Sequence, residues 1–138
     1  MKLSALEEKE KVEEIYETEK ATLRLIENNI VEIKLKPNAF IELEDAQEQY
    51  KILTTLIKGL AGYTLLVYSD KTNDVSNEAK EYSANPKLKR GLLAQAIVTD
   101  HIPYIILSKV YTKFFKPTVP IQLFRDGRKA TEWLKDYS

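Results

Sequence analysis

Apolar and polar residues alternate over residues 21–36 of this chain. Ala21, Leu23 and Leu25 alternate with Thr22 and Arg24, and Val31, Ile33 and Leu35 alternate with Glu32, Lys34 and Lys36. A period of two puts one set on a core face and the other toward solvent, which predicts two half-buried strands. Asn28-Asn29 stands between them, and asparagine tolerates the left-handed backbone that a tight hairpin turn needs. Pro37-Asn38 closes the second strand.

From Leu43 the period changes. Ala46, Tyr50, Leu53, Ile57 and Leu60 recur at helical spacing, and Gly59 and Gly62 bracket the exit. The run Tyr63-Thr64-Leu65-Leu66-Val67-Tyr68 has the length and composition of a central parallel strand covered on both faces. A polar loop follows over residues 69–74, and a helix is predicted to start near Ser76 and break near Asn85, ahead of Pro86. Residues 93–98 read as another short strand. Pro103 suits the first turn of a helix running to about Phe115. The end of the chain reads as a short strand, an Asp-Gly junction and an amphipathic helix carrying the one tryptophan. Asp126 can cap that helix, and Ala130, Trp133, Leu134 and Tyr137 make a single stripe along it. The order is therefore strand, strand, three helix–strand units and a last helix, which argues for α/β architecture with parallel crossovers after an antiparallel hairpin.

The start of the chain differs. Residues 5–20 are dominated by Glu and Lys, with opposite charges at i,i+4 and few apolar positions. Residues 1–17 are read as a charged extension, helical or lightly docked, and residues 18–138 as one domain.

Composition narrows the chemistry. At 138 residues and 43% hydrophobic, the chain can build a core without staples. Cysteine is absent, so there is no disulfide framework and no thiolate nucleophile or ligand. His101 is the single histidine, which excludes multi-histidine metal sites and leaves one base for any triad-type reaction. Basic and acidic residues balance at 21 each, without the excess that nucleic-acid binding usually shows. No apolar run approaches the roughly 20 residues needed to cross a bilayer, and the charged start lacks the apolar centre of a signal peptide. The expectation is a soluble, cytoplasmic protein without cofactor, metal, nucleic-acid partner or integral membrane segment.

Several motifs together carry a resemblance. They are Ile30-Val31-Glu32-Ile33-Lys34-Leu35-Lys36-Pro37, Leu43-Glu44-Asp45-Ala46, Val67-Tyr68-Ser69-Asp70, Glu78-Ala79-Lys80-Glu81-Tyr82, and Val119-Pro120-Ile121-Gln122-Leu123-Phe124 with Ala130 and Trp133-Leu134. In this succession the chain resembles the small bacterial STAS/SEC14-like domains over about residues 18–137. The resemblance implies the fold of the anti-sigma-factor antagonists, SpoIIAA-like: a mixed five-stranded sheet with an N-terminal β-hairpin, alternating α–β units and a C-terminal helix. It implies a fold more than an activity.

Three groups of residues are candidates for function. The loop holding Asp70, Asp74 and Ser76 should lie at the carboxyl ends of parallel strands, where ligands and partners gather. In the antagonist family a serine at the start of the equivalent helix is phosphorylated to switch partner binding, and Ser76 is similarly placed, although the usual Asp-Ser-Gly context is missing. The plain alternative is that Ser76 or Asp74 only caps a helix. Second, the segment 103–115 is apolar over a wide arc. Tyr104, Leu107, Tyr111 and Phe114 make one stripe, beside Ile106 and Val110. That arc exceeds what one core face requires, and implies a well-buried helix, a homodimer interface or the wall of a lipid or small apolar pocket. Third, Lys87, Lys89 and Arg90 form a basic run whose default is a solvated face.

The leading expectation is a non-enzymatic regulatory or protein-interaction domain, a homodimer with an unidentified protein partner. The alternative is a carrier of a small apolar molecule or lipid under the 103–115 helix. An enzyme using His101 with Asp100 or Asp70 is the least supported.

Overall fold

The computed structural model describes residues 14–101 and 119–137. Strands β2 (Ala21–Ile26) and β3 (Ile30–Leu35) form the antiparallel hairpin, in register from Ala21 opposite Leu35 to Ile26 opposite Ile30. Their turn is one 3-10 turn, Glu27–Asn29, in which Asn28 and Asn29 take φ of 59° and 58°. Asparagine is one of the few residues besides glycine that enters this left-handed region readily, so the pair turns the chain at little strain. Strands β5 (Tyr63–Tyr68), β7 (Leu92–Val98) and β8 (Ile121–Phe124) extend the sheet in parallel from β3. A two-residue strand β1 (Tyr16–Glu17) closes the opposite edge against β2, giving the order β1-β2-β3-β5-β7-β8.

The mixed α/β sheet expected from sequence is present, with six strands where five were expected. The extra strand is β1, too short to show any alternation, and it lies inside the segment read as a charged extension. A second, two-stranded parallel sheet pairs β4 (Phe40–Ile41) with β6 (Asp74–Val75), and it too is below the length at which a period can be seen.

Helix α1 (Leu43–Leu56) begins at Glu42, whose backbone N–H donates to Asp45 Oδ2 at 2.9 Å in a capping box. It stops at Ile57, and Gly59 then takes φ of 87°, so Leu60 falls beyond the helix although its spacing continues the pattern. Helix α2 (Asn77–Ser83) starts at Ser76, and after it a 3-10 turn, Pro86–Lys89, begins where the missing proline N–H ends helical pairing. Helix α3 (Gly127–Lys135) is capped by Asp126, which accepts from Arg128 N–H at 2.8 Å.

Alternate residues of the sheet feed two cores. On one face Ile30, Leu66, Ala94, Ala96 and Val98 pack against Ala130 and Leu134 of α3, with Phe124, Trp133 and Tyr137 around them. The predicted stripe of the last helix is the one that is buried. On the other face Val31, Tyr63 and Leu92 pack against Leu53 of α1, with Ile33, Leu65 and Tyr50 alongside. Helix α2 leans on α1 through Ala79 and Ala46, and Tyr82 meets Tyr50 edge-on at 6.3 Å.

Candidate functional site

The parallel strands β3, β5, β7 and β8 end together, so the segments after them share one end of the sheet. The loop after β5 is braced by its own side chains. Asp70 Oδ1 accepts from the Thr72 N–H at 2.7 Å and from the Thr72 hydroxyl, and Asn73 Oδ1 accepts from Asp70 N–H at 2.9 Å. The two Thr72 bonds, the hydroxyl foremost, hold the Asp70 carboxyl below the usual carboxylate range. Two further bonds tie this loop to the one after β3: Asn73 Nδ2 donates to Lys36 O at 2.8 Å, and Asn38 N–H donates to Thr72 Oγ1 at 2.7 Å. The β4–β6 pair continues the connection, with Ser76 N–H donating to Ile41 O at 2.9 Å.

Sequence reasoning placed Asp70, Asp74 and Ser76 on this loop, and the structure gives each a local task. Asp74 Oδ1 accepts from Val75 N–H at 2.8 Å. Ser76 Oγ accepts from Ala79 N–H at 3.1 Å, which is an N-cap. Asp70 and Asp74 line a cleft of about 220 Å³ together with Asn73, Lys80, Thr99 and His101, while Ser76 is not among its lining residues. Sequence reasoning paired His101 with Asp70 only by their chemistry; parallel pairing of β5 with β7 brings them to one cleft, and Asp100 is not part of its wall. His101 N–H donates to Thr99 Oγ1 at 3.2 Å.

A larger cavity, about 440 Å³, lies between α1, α2 and the sheet. Leu53, Leu65, Val67, Leu88 and Leu92 make its walls apolar, with Tyr50, Tyr63 and Tyr82 on the same lining. Burial, and secondarily the neighbouring Tyr50, raises the Tyr63 hydroxyl above its ordinary pKa, so it stays protonated. The polar exceptions are Gln49, Gln95, Ser83, Lys80 and Lys89. Its wall comes from elements far apart in the chain.

The apolar candidates Tyr104, Ile106, Leu107, Val110, Tyr111 and Phe114 lie outside the described residues. In the basic run Lys87 and Arg90 are exposed, and Lys89 is half-buried and lines the larger cavity. Among the described residues, no group of three or more His, Asp or Glu side chains is placed to hold a metal ion, and no helix is long and apolar enough to cross a membrane.

A mixed sheet with a leading hairpin, α–β units and a closing helix is the SpoIIAA-like arrangement. The chain is similar to the crystal structure of an uncharacterized protein from the DUF3478 family with a SpoIIAA-like fold from Shewanella loihica PV-4, with a TM-score of 0.60. The match is 16% identical and covers 88% of this chain and 90% of that one, so it shows the fold alone. Residues 24–138 match the family described as Domain of unknown function (DUF7793), and the chain belongs to that family. No curated protein gives a match.

Proposed function

We propose that this protein is a STAS-like regulatory or interaction domain that acts by binding a protein partner and performs no reaction itself. The observation that carries the reading is the use made of the reactive side chains at the carboxyl ends of the strands. Asp70, Asp74 and Ser76 each accept a backbone N–H that holds the loops in shape. A braced double loop suits a docking surface, because little conformational entropy is lost when a partner meets it. On this reading the protein is cytoplasmic and homodimeric, with Tyr104, Leu107, Tyr111 and Phe114 contributing the subunit interface, and Ser76 is the position where a phosphate would alter docking.

Native mass spectrometry of the protein from its own host tests the assembly and the switch together: a dimer mass and a phosphate on Ser76 are expected. Tyr111→Glu should convert the dimer to monomer in sedimentation while the thermal transition is retained. Unchanged sedimentation of that variant, with native stability, counts against the interface.

A second reading, a carrier of a small apolar molecule, is favoured by the 440 Å³ cavity. Its volume falls within the range of about 300–1,000 Å³ common to ligand sites, and its lining is mainly aliphatic and aromatic. The pocket was expected beneath segment 103–115, and the described cavity is bounded by α1, α2 and the sheet. An additional small-molecule mass in the same native spectrum supports the carrier, and an unliganded protein from the host argues against it.

A further inference from the structure

We propose that the cavity between α1, α2 and the sheet takes a small amphipathic carboxylate, its hydrocarbon part among the aliphatic walls and its charged head met by Lys80 and Lys89. The inference rests on the carrier reading and adds the sign and chemistry of the ligand's head.

Charge on the described lining is one-sided. The whole chain carries acidic and basic residues in equal number, yet the described residues lining this cavity include Lys80 and Lys89 and neither an aspartate nor a glutamate. Among the described residues neither lysine has an ion-pair partner within 4.0 Å. Two cations beside apolar walls favour an anion that brings its own apolar surface, although Lys80 also borders the cleft of Asp70 and Asp74. Lys80 comes from α2 and is exposed, and Lys89 comes from the following 3-10 turn and is half-buried, so both can reach solvent when the cavity is empty.

A carboxylate offers the lysines an anion, and an alkyl chain fits Leu53, Leu65 and Val67. An alcohol brings no charge to the lysines, and an alkylammonium repels them.

Calorimetric titration of the full chain with decanoate, 1-decanol and decylammonium separates these cases. Decanoate should bind about tenfold or more tighter than 1-decanol, the size of one charge-assisted hydrogen bond, and decylammonium weakest. Lys80→Glu and Lys89→Glu, both at solvent-reaching positions, should together abolish the preference for decanoate and leave 1-decanol binding unchanged, with thermal melts confirming the fold. Leu88→Trp should weaken all binding by filling the space; if that variant melts early, Leu65→Phe serves the same purpose. Equal affinity for decanoate and 1-decanol overturns the head-group inference and leaves the carrier reading standing. Absence of binding by either overturns both.

Discussion

The two faces of one sheet are built to different standards. On the α3 face, Ala94 and Ala96 are small enough for the helix to lie close, and Ala130 and Leu134 are fully buried against them. Phe124 and Trp133 pack at 5.7 Å and Trp133 and Tyr137 at 5.0 Å, sealing the border with aromatic contacts. Across the sheet a cavity of about 440 Å³ lies among described residues that include Tyr50, Tyr63, Tyr82, Gln49, Gln95, Lys80 and Lys89. Among the described residues, one face is closed by α3 and the other holds the cavity. Interiors are normally packed to crystal-like density, so an open, partly polar face has a stability cost that a tight opposite face offsets.

The largest effect should come from cutting into the tight face. Leu134→Ala should lower stability by about 3–5 kcal/mol in urea titration, because the surrounding side chains cannot collapse into the gap. A loss below about 1 kcal/mol would show that the α3 face is looser than its burial implies.

Next comes the approach of α3 to the sheet. A Cβ on Gly127 would lie 2.2 Å from the Tyr68 hydroxyl and 3.0 Å from its ring carbon, so Gly127→Ala should destabilise by about 1–3 kcal/mol. The double change Gly127→Ala with Tyr68→Phe should recover part of that loss, since it removes the colliding oxygen.

A smaller effect, of opposite sign, sharpens the contrast. Thr64 pairs with Ala94, is fully buried, and its Oγ1 has no hydrogen-bond partner among the described residues. Thr64→Val should stabilise by about 1 kcal/mol, measured as a higher urea midpoint with unchanged slope, because an unpaired hydroxyl is replaced by a methyl of similar shape.

The smallest effect is electrostatic and belongs to the open face's edge. Lys20 Nζ lies 2.6 Å from Asp45 Oδ2. Burial pushes the Asp45 carboxyl up, but the Lys20 ammonium and the Glu42 N–H outweigh it and leave it below the usual range. A depressed carboxyl contributes stability above its unfolded pKa of about 3.9 and loses it as pH falls through the lower folded value. Lys20, raised chiefly by its hydrogen bond to Asp45, contributes below about 10.4 and loses its share as pH rises through the higher folded value. Asp45→Asn should therefore differ from the parent at neutral pH and converge with it in strong acid; an equal gap at all pH values would assign the effect to the helix cap alone.

Local features are legible in the chain itself. The hairpin shows because alternation is a property of consecutive residues, and Asn28-Asn29 turn it as their backbone tolerance predicts. Ser76 and Asp126 are readable as caps, and Pro86 as a break, from one or two positions each. The count of six strands is not, since Tyr16–Glu17 has no period and exists as a strand only because β2 offers it an edge. Nor are the ties between the two loops legible: Asp70 meets Thr72 locally, but Asn73 meets Lys36 and Thr72 meets Asn38 across the chain.

The sequence by itself determined the class of fold, the hairpin, the central strand, the helix caps and the stripe that α3 buries, because each follows from neighbours a few residues apart. The tertiary structure alone decided that Asp70, Asp74 and His101 share a cleft, that Gly127 must stay small beneath Tyr68, and that Gln49, Lys80 and Lys89 face one cavity. Those are meetings between residues distant in the chain, and only strand order and register, set by the burial of both sheet faces at once, bring them together.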